Sequence, residues 1–463
     1  MFSAAANPKD QIVTPQARPA QWVEVLLWVF MLSFALDYRS SMSREAGAGT
    51  GLDQMLFLGL CIGSSLAILG LGWRYLTVRP GAWLLVFWSL FLAYTLADSF
   101  LQGVIPTRSL RVFLPLGFCL LGMSNAHIAG CMGISARRIV APVLFAACTN
   151  VLWRIFHGVV FKHVNLETAR LEVQSPANNW IAAWIGCALL LRGRFSWSLP
   201  FACCVLFTGI FITVTRSLFF PVLAGGFAGA ACFLLGIKWG IYGWPALGRR
   251  AVALGAAGAL VAAALGFVIV IEPVLLEKWN ERIFHNASDR NLSADISYLT
   301  RKAEADAIWK ILTDDPLHFI NGRGMGSSYY WDPAYLPEIW SVIPKEEASL
   351  DDIWFAGHSV WTYGLLSGGV IALAAYLTLF TGTAAFSLIA ARANASDPGP
   401  DQWLAFLPFV ATCCLLSESL TANPFQERLV GIIYGMMAGL PQAFMVRSSW
   451  IHATERPLPA YAK

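Results

Sequence analysis

Charge is scarce in this sequence. Only 13% of its 463 residues are Asp, Glu, Lys or Arg, whereas 57% are hydrophobic and mean hydropathy is +0.59; a soluble domain carries roughly 25% charge. A soluble globular fold is thereby excluded. No cleavable signal peptide is expected either, because residues 1–21 (MFSAAANPKDQIVTPQARPAQ) are polar and the apolar run after them continues into a multispan chain. Cysteine is absent from 273–357, the one large polar insertion, and the ten thiols lie within or beside apolar runs. Neither a disulfide framework nor a Cys-based metal site is indicated, and the thiols read as small buried hydrophobes. No HExxH or similar spacing joins the seven histidines, so no zinc site is expected; the paired acids Asp314–Asp315 and Asp351–Asp352 fit a divalent cation, with loop solvation as their default role. Nor is there a repeat of fixed period. The net charge of +4 is a topology signal and points to no nucleic acid.

What is present is a series of runs long enough to cross about 30 Å of hydrocarbon, roughly 17–25 residues each. They fall near 22–36, 54–73, 82–102, 109–130, 139–157, 177–193, 197–215, 218–237, 251–272, 359–390, 402–421 and 428–446. The expected fold is an all-α polytopic membrane protein of about 12 transmembrane helices. Residues 1–272 hold spans one to nine, 273–357 form a partly helical extracytoplasmic loop, and 358–463 hold spans ten to twelve. With the amino terminus in the cytoplasm, Arg74, Arg79, Arg137, Arg138, Lys238, Arg249, Arg250 and Arg392 all fall on the cytoplasmic side, as the positive-inside rule requires. Both termini are then cytoplasmic. The large loop differs in balance, with 8 Lys or Arg against 14 Asp or Glu. Gly- and Ala-rich faces at LAGGFAGAA (223–231) and ALGAAGALVAAALG (253–266) suit close helix approach.

Inside the loop, Ile296, Leu299, Ala303, Ala307 and Ile311 recur at steps of three and four, an amphipathic helix that Pro316 stops. Arg301 and Lys302 sit on it, and Arg290 precedes it; a solvated face pairing Arg301 with Glu304 or Asp306 fits the same spacing. Next comes FINGRGMGSSYYW (319–331), where Arg323 lies among glycines that form either an anion-binding nest or a simple tight turn. No strand precedes those glycines, which argues against a nucleotide-binding fingerprint. Arg216, in FITVTRSLFFP, stands at the outer junction of two spans with Pro221 in the next helix's first turn. A guanidinium beside helix amino-terminal N–H groups makes an anion site, although a snorkelling interfacial arginine fits as well. His358 opens the span after the loop in FAGHSVWTYGLLSGGV; it suits a general base for a hydroxyl nucleophile or a helix-capping residue.

An outer-face site has no supply of ATP or nucleotide sugars, so a transfer donor must arrive in the membrane carrying its own leaving group. A lipid diphosphate meets that need: arginines hold the diphosphate and a histidine receives the proton.

The order of these features, TRS with Arg216 before a span, an Arg-bearing loop helix ending in Pro, a GRGMG turn, then HSVWTYGLLSGG, resembles the O-antigen ligase and O-antigen polymerase superfamily. By motif the resemblance covers roughly residues 200–385. It implies a GT-C-like, metal-independent, inverting glycosyltransferase of the bacterial inner membrane that needs no cofactor. Such an enzyme moves a glycan from undecaprenyl diphosphate to an acceptor at the periplasmic face. It further implies His358 as the base and Arg216, Arg301, Arg290 and Arg323 as diphosphate-binding residues. The family often has Asn after that histidine; here it is Ser359. A ligase would take lipid A-core, or a protein, as acceptor, and a polymerase would take the next lipid-linked repeat unit. A transporter or flippase, with Asp98, Arg154 and Glu418 marking its path, is the alternative of a different class.

Overall fold

The computed structural model describes residues 17–37, 51–161, 173–192, 196–213, 218–271, 296–335, 354, 357–396 and 398–446. A helix lies over each of the twelve apolar runs: α1 (Ala17–Leu32), α2 (Leu52–Gly72), α3 (Ala82–Leu101), α4 (Pro106–Cys131), α5 (Ala136–Phe156), α6 (Asn178–Leu191), α7 (Ser198–Thr213), α8 (Phe219–Lys238), α9 (Pro245–Ile271), α12 (Val360–Ala393), α13 (Leu407–Ser419) and α14 (Arg428–Gly439). Two further helices, α10 (Ile296–Asp314) and α11 (Pro316–Asn321), belong to the polar insertion. Apolar surroundings leave the backbone no partner except itself, so runs of this composition close their hydrogen bonds as helices. Eight are long and apolar enough to cross a membrane: α2 to α5, α8, α12, α13 with the turn before it, and α14 with the turn after it. The helices α6 and α7 are apolar but shorter. Among the described residues no strand forms, and Tyr329 and Trp354 make an isolated antiparallel bridge.

Small residues set how closely the helices approach. Along α14, Gly431, Gly435 and Gly439 recur every four residues, and a Cβ at each would run into the carbonyl oxygens of Pro115, Cys119 and Met123, likewise four apart on α4. The two backbones are therefore in contact along a seam. Gly225 and Gly229 of α8 lie in the same way against Ala182 and Gly186 of α6. The small face of α9 behaves differently: beside Gly255, Gly258 and Gly266 there is open space, so close approach at this face is not seen among the described residues.

One end of the bundle is tied by buried polar groups. Arg428, at the start of α14, donates to Asp37 (2.7 Å) after α1 and to Gln54 (2.6 Å) on α2. Arg154 at the end of α5 pairs with Glu427 (3.2 Å) and donates to the Gln174 carbonyl (2.7 Å). Asn150 gives its amide to the Asp37 carbonyl (2.9 Å) and accepts from Ser175 (2.7 Å). Buried polar groups cost free energy unless they are paired, so these contacts fix how five chain segments meet.

The insertion docks at this same end. The buried face of α10 carries Leu299, Ala303, Ala307, Ile308 and Leu312, which pack with Tyr329, Trp331, Tyr363 and Leu366. As expected, α10 stops before Pro316; Asp315 then caps α11 by accepting from Leu317 N at 2.9 Å. The GRGMG turn is a packing seam. Gly322, Gly324 and Gly326 all adopt positive φ, and a Cβ on them would strike Gly368, Ser99 and Ser109 respectively. The helix α12 is broken at Gly368–Gly369, where φ of Gly369 is +61° and the Ile320 carbonyl fills the space a side chain would need. An eight-residue piece, 360–367, is thus set apart from the long remainder.

Candidate functional site

The break leaves His358 at the head of a short half-helix that packs on α10. Ser359 supplies the amino-terminal cap, its Oγ accepting from Trp361 N at 3.3 Å, so the histidine is released from a capping role. Instead it faces Glu304. His358 Nδ1 lies 2.7 Å from Glu304 Oε2, and the His358 backbone N–H donates to both carboxylate oxygens, at 3.0 and 2.8 Å. Thr362 Oγ1 donates to Oε1 at 3.3 Å. Tyr329 adds a phenol hydrogen bond; burial, with the Glu304 charge beside it, pushes that phenol far up, so it stays protonated.

Glu304 is 2% exposed at its side chain against 32% for His358. A buried carboxylate surrounded by donors is an acceptor only, which places the neutral imidazole's proton on Nδ1. Nε2 then keeps its lone pair. This is the arrangement of a proton acceptor held by a carboxylate.

The chain before His358 is held from the other side. Asn423 Nδ2 donates to the Gly357 carbonyl at 3.3 Å, and Gln426 Nε2 donates to the same oxygen. A side chain at Gly357 would press on Glu304 Oε1 at 2.7 Å and Tyr363 Cβ at 2.6 Å, so glycine is what lets the turn come this close. A cavity of about 20 Å³ lies alongside, lined by Arg111, Tyr363, Ser367, Asn423 and Gln426 over an apolar floor of Leu116, Met325 and Phe425. It is a slot for about one water and not a substrate chamber.

Of the residues singled out from sequence, the structure sets His358 against Glu304. Arg301 lies one turn before Glu304 on α10; its exposed guanidinium donates to the Thr421 carbonyl, and so neither Glu304 nor Asp306 is its hydrogen-bond partner there. Glu304 is a buried dyad member and not part of a solvated face. Asp306 accepts from Tyr335. Arg323 is exposed, and its backbone amide is spent on the Leu366 carbonyl at 2.7 Å. The Met325 and Gly326 amides go to Ser99 Oγ (2.7 Å) and Tyr363 OH (3.1 Å), so the turn uses these N–H groups for packing. Arg216 and Arg290 lie outside the described residues. Arg154 is engaged in the buried ties, and Glu418 lines a separate small cavity with Asn179, Trp180 and Tyr434.

Glu304 and Arg111 are the residues that sequence reading missed. The signal for Glu304 was present: it falls beside Ala303 and three residues before Ala307, on the face that the apolar spacing marks as buried. Among the described residues no cluster of three or more His, Cys, Asp or Glu could hold a metal ion. The fold and this geometry define a multi-helix membrane protein with a carboxylate–histidine pair at one end of the bundle. Neither a protein-family model nor a curated protein matches the chain.

Proposed function

We propose that the protein is a metal-independent, inverting glycosyltransferase that moves a glycan from undecaprenyl diphosphate to an acceptor hydroxyl, in the manner of an O-antigen ligase. The Glu304–His358 pair carries this reading, since a histidine whose tautomer is fixed by a buried carboxylate presents a free Nε2 to a hydroxyl nucleophile. The acceptor oxygen attacks the anomeric carbon as its proton passes to Nε2. The new C–O bond forms while the bond from the anomeric carbon to the diphosphate oxygen breaks, and undecaprenyl diphosphate leaves. Arg301, one turn from Glu304, stabilises the departing charge, with Arg216, Arg290 and Arg323 in the roles that the family resemblance implies. Arg111 adds a cation at the neighbouring slot.

Orientation follows from charge. Arg137 and Arg138 at the start of α5, Lys238 at the end of α8 and Arg392 at the end of α12 gather at the end of the bundle away from His358. By the positive-inside rule this end is cytoplasmic, with both termini, and the dyad faces the periplasm. The remaining apolar helices α1, α6, α7 and α9 complete twelve spans.

The test is a transfer assay with purified protein and a polyprenyl-diphosphate glycan, with and without lipid A-core, beside His358→Ala. Glycan on lipid A-core is the expected product, and the variant loses about 10²–10⁴ in rate. Longer lipid-linked chains formed from donor alone would make the enzyme a polymerase using the same dyad. A His358→Ala protein that transfers at the wild-type rate sinks the mechanism.

A further inference from the structure

Beside His358 stands a second feature that the transfer chemistry above does not use. The indole rings of Trp331 and Trp354 stack with centroids 4.8 Å apart and planes 9° from parallel. The Trp354 ring lies 5.7 Å from the His358 imidazole, tilted by 46°. Trp331 is 6% exposed and belongs to the core that α10 covers, whereas Trp354 is only partly buried at its edge. Reciprocal backbone bonds fix the pair in register, Tyr329 N to Trp354 O at 2.8 Å and Trp354 N to Tyr329 O at 3.1 Å.

One face of Trp354 is thus taken by Trp331, and the residue, only partly buried, stands beside the histidine. Its rotation is blocked from behind. A flat, rigid, apolar surface beside a proton acceptor has a defined chemical complement. A pyranose ring presents axial C–H groups on one face, which pack on an indole, and hydroxyls around its rim, which reach outward to polar groups. A serine or threonine side chain has no such face.

We propose that Trp354, backed by Trp331, is the platform on which a pyranose of the acceptor rests, with one ring hydroxyl directed at His358 Nε2. This rests on the transferase reading above and adds to it the residue that positions the acceptor sugar. Because the stacked pair is rigid before any ligand arrives, ordering it costs little on binding. Trp354 is a positioning residue for the acceptor, and the donor's diphosphate does not depend on it.

The experiment uses the full chain in lipid nanodiscs. Saturation-transfer NMR is recorded with methyl β-D-glucopyranoside, methyl β-D-galactopyranoside and a methyl heptopyranoside as probes, and with N-acetylserine amide as the non-sugar control. At least one glycoside should receive saturation, concentrated on the C–H protons of one ring face. That signal should disappear in Trp354→Ala, persist in Trp354→Phe and survive in His358→Ala, while the serine control stays silent. In the transfer assay, Trp354→Ala should raise the acceptor KM about tenfold, equivalent to about 1.4 kcal/mol, and leave kcat within about twofold. No glycoside signal in the wild type, or equal signal in Trp354→Ala, overturns the platform. Glycosides that bind through Trp354 in a protein that transfers nothing leave the platform standing and remove the transferase reading. Transfer with an unchanged KM in Trp354→Ala does the reverse.

Discussion

Replacing Glu304 by glutamine is the sharpest perturbation that the dyad permits. The side chain keeps its size, but one of its two acceptor oxygens becomes an N–H₂ donor. In the wild type every group around that carboxylate donates: the His358 amide at 3.0 and 2.8 Å, Nδ1 at 2.7 Å and Thr362 Oγ1 at 3.3 Å. Whichever way the new amide turns, a donor meets a donor in a buried place, and one of them loses its partner. The cost to folding is about 1–3 kcal/mol. If the amide nitrogen settles against Nδ1, the imidazole moves its proton to Nε2. On the proposed transferase reading, it then ceases to accept a proton from the acceptor hydroxyl, and transfer should slow by about 10²-fold or more, the scale of a lost general base. Two assays separate these effects. Thermal unfolding in detergent reads the folding cost, and nitrogen-15 NMR of histidine-labelled protein reads the tautomer, with His358→Ala assigning the signal. The wild type should show His358 protonated at Nδ1 when neutral. A wild-type signal with the proton on Nε2, or a Glu304→Gln protein whose His358 carries its proton on Nε2 and still transfers at the full rate, refutes the reasoning.

Other consequences can be checked on stability alone. Gly435→Ala should destabilise by about 1–3 kcal/mol, because its methyl would enter the Cys119 carbonyl across the α4–α14 seam. Gly226→Ala, which meets nothing within 4 Å, should be neutral or gain about 0.5–1 kcal/mol in unfolding measurements. Glu427→Gln leaves Arg154, 4% exposed at its side chain, without its ion-pair partner; a loss of about 3 kcal/mol is expected, and a melting temperature equal to wild type would show that the pair contributes nothing. Gly369→Ala must strain a φ of +61° and displace the Ile320 carbonyl, so the yield of folded protein should fall sharply while Gly364→Ala, with its nearest neighbour at 3.2 Å, is tolerated better.

The helices were legible in the sequence because their cause is local: an apolar run long enough to need internal hydrogen bonding shows itself within 20 or so residues. The loop helix was legible for the same reason, since the steps from Leu299 to Ala307 mark its inner face and Pro316 its end. His358 and Arg301 stood out through their residue types and positions. What binds them was not legible, because His358 and its carboxylate are 54 residues apart and no local pattern pairs them. The tie between Arg428 and Asp37 spans 391 residues. The break at Gly368–Gly369 was hidden inside a continuous apolar run, where hydropathy is the same on both sides of the bend. By contrast GIIYGMMAG carries the α4–α14 seam openly in its spacing, as LAGGFAGAA does for α6 and α8. The α9 stretch has similar composition and no seam among the described residues, in keeping with small residues permitting close approach without compelling it.

The interruption of α12 has a bearing on how the protein lives in its solvent. Bilayers differ in thickness, and a continuous helix answers by tilting or sliding, carrying whatever is attached to its end. Here the attachment is made on the far side of a glycine pair, by the packing of Tyr363 and Leu366 with α10. The distance between Glu304 and His358 is set within that outer assembly and not by the depth at which 370–393 rides in the lipid. On that arrangement a change of membrane thickness should be taken up at the bend and leave the Glu304–His358 contact as it is.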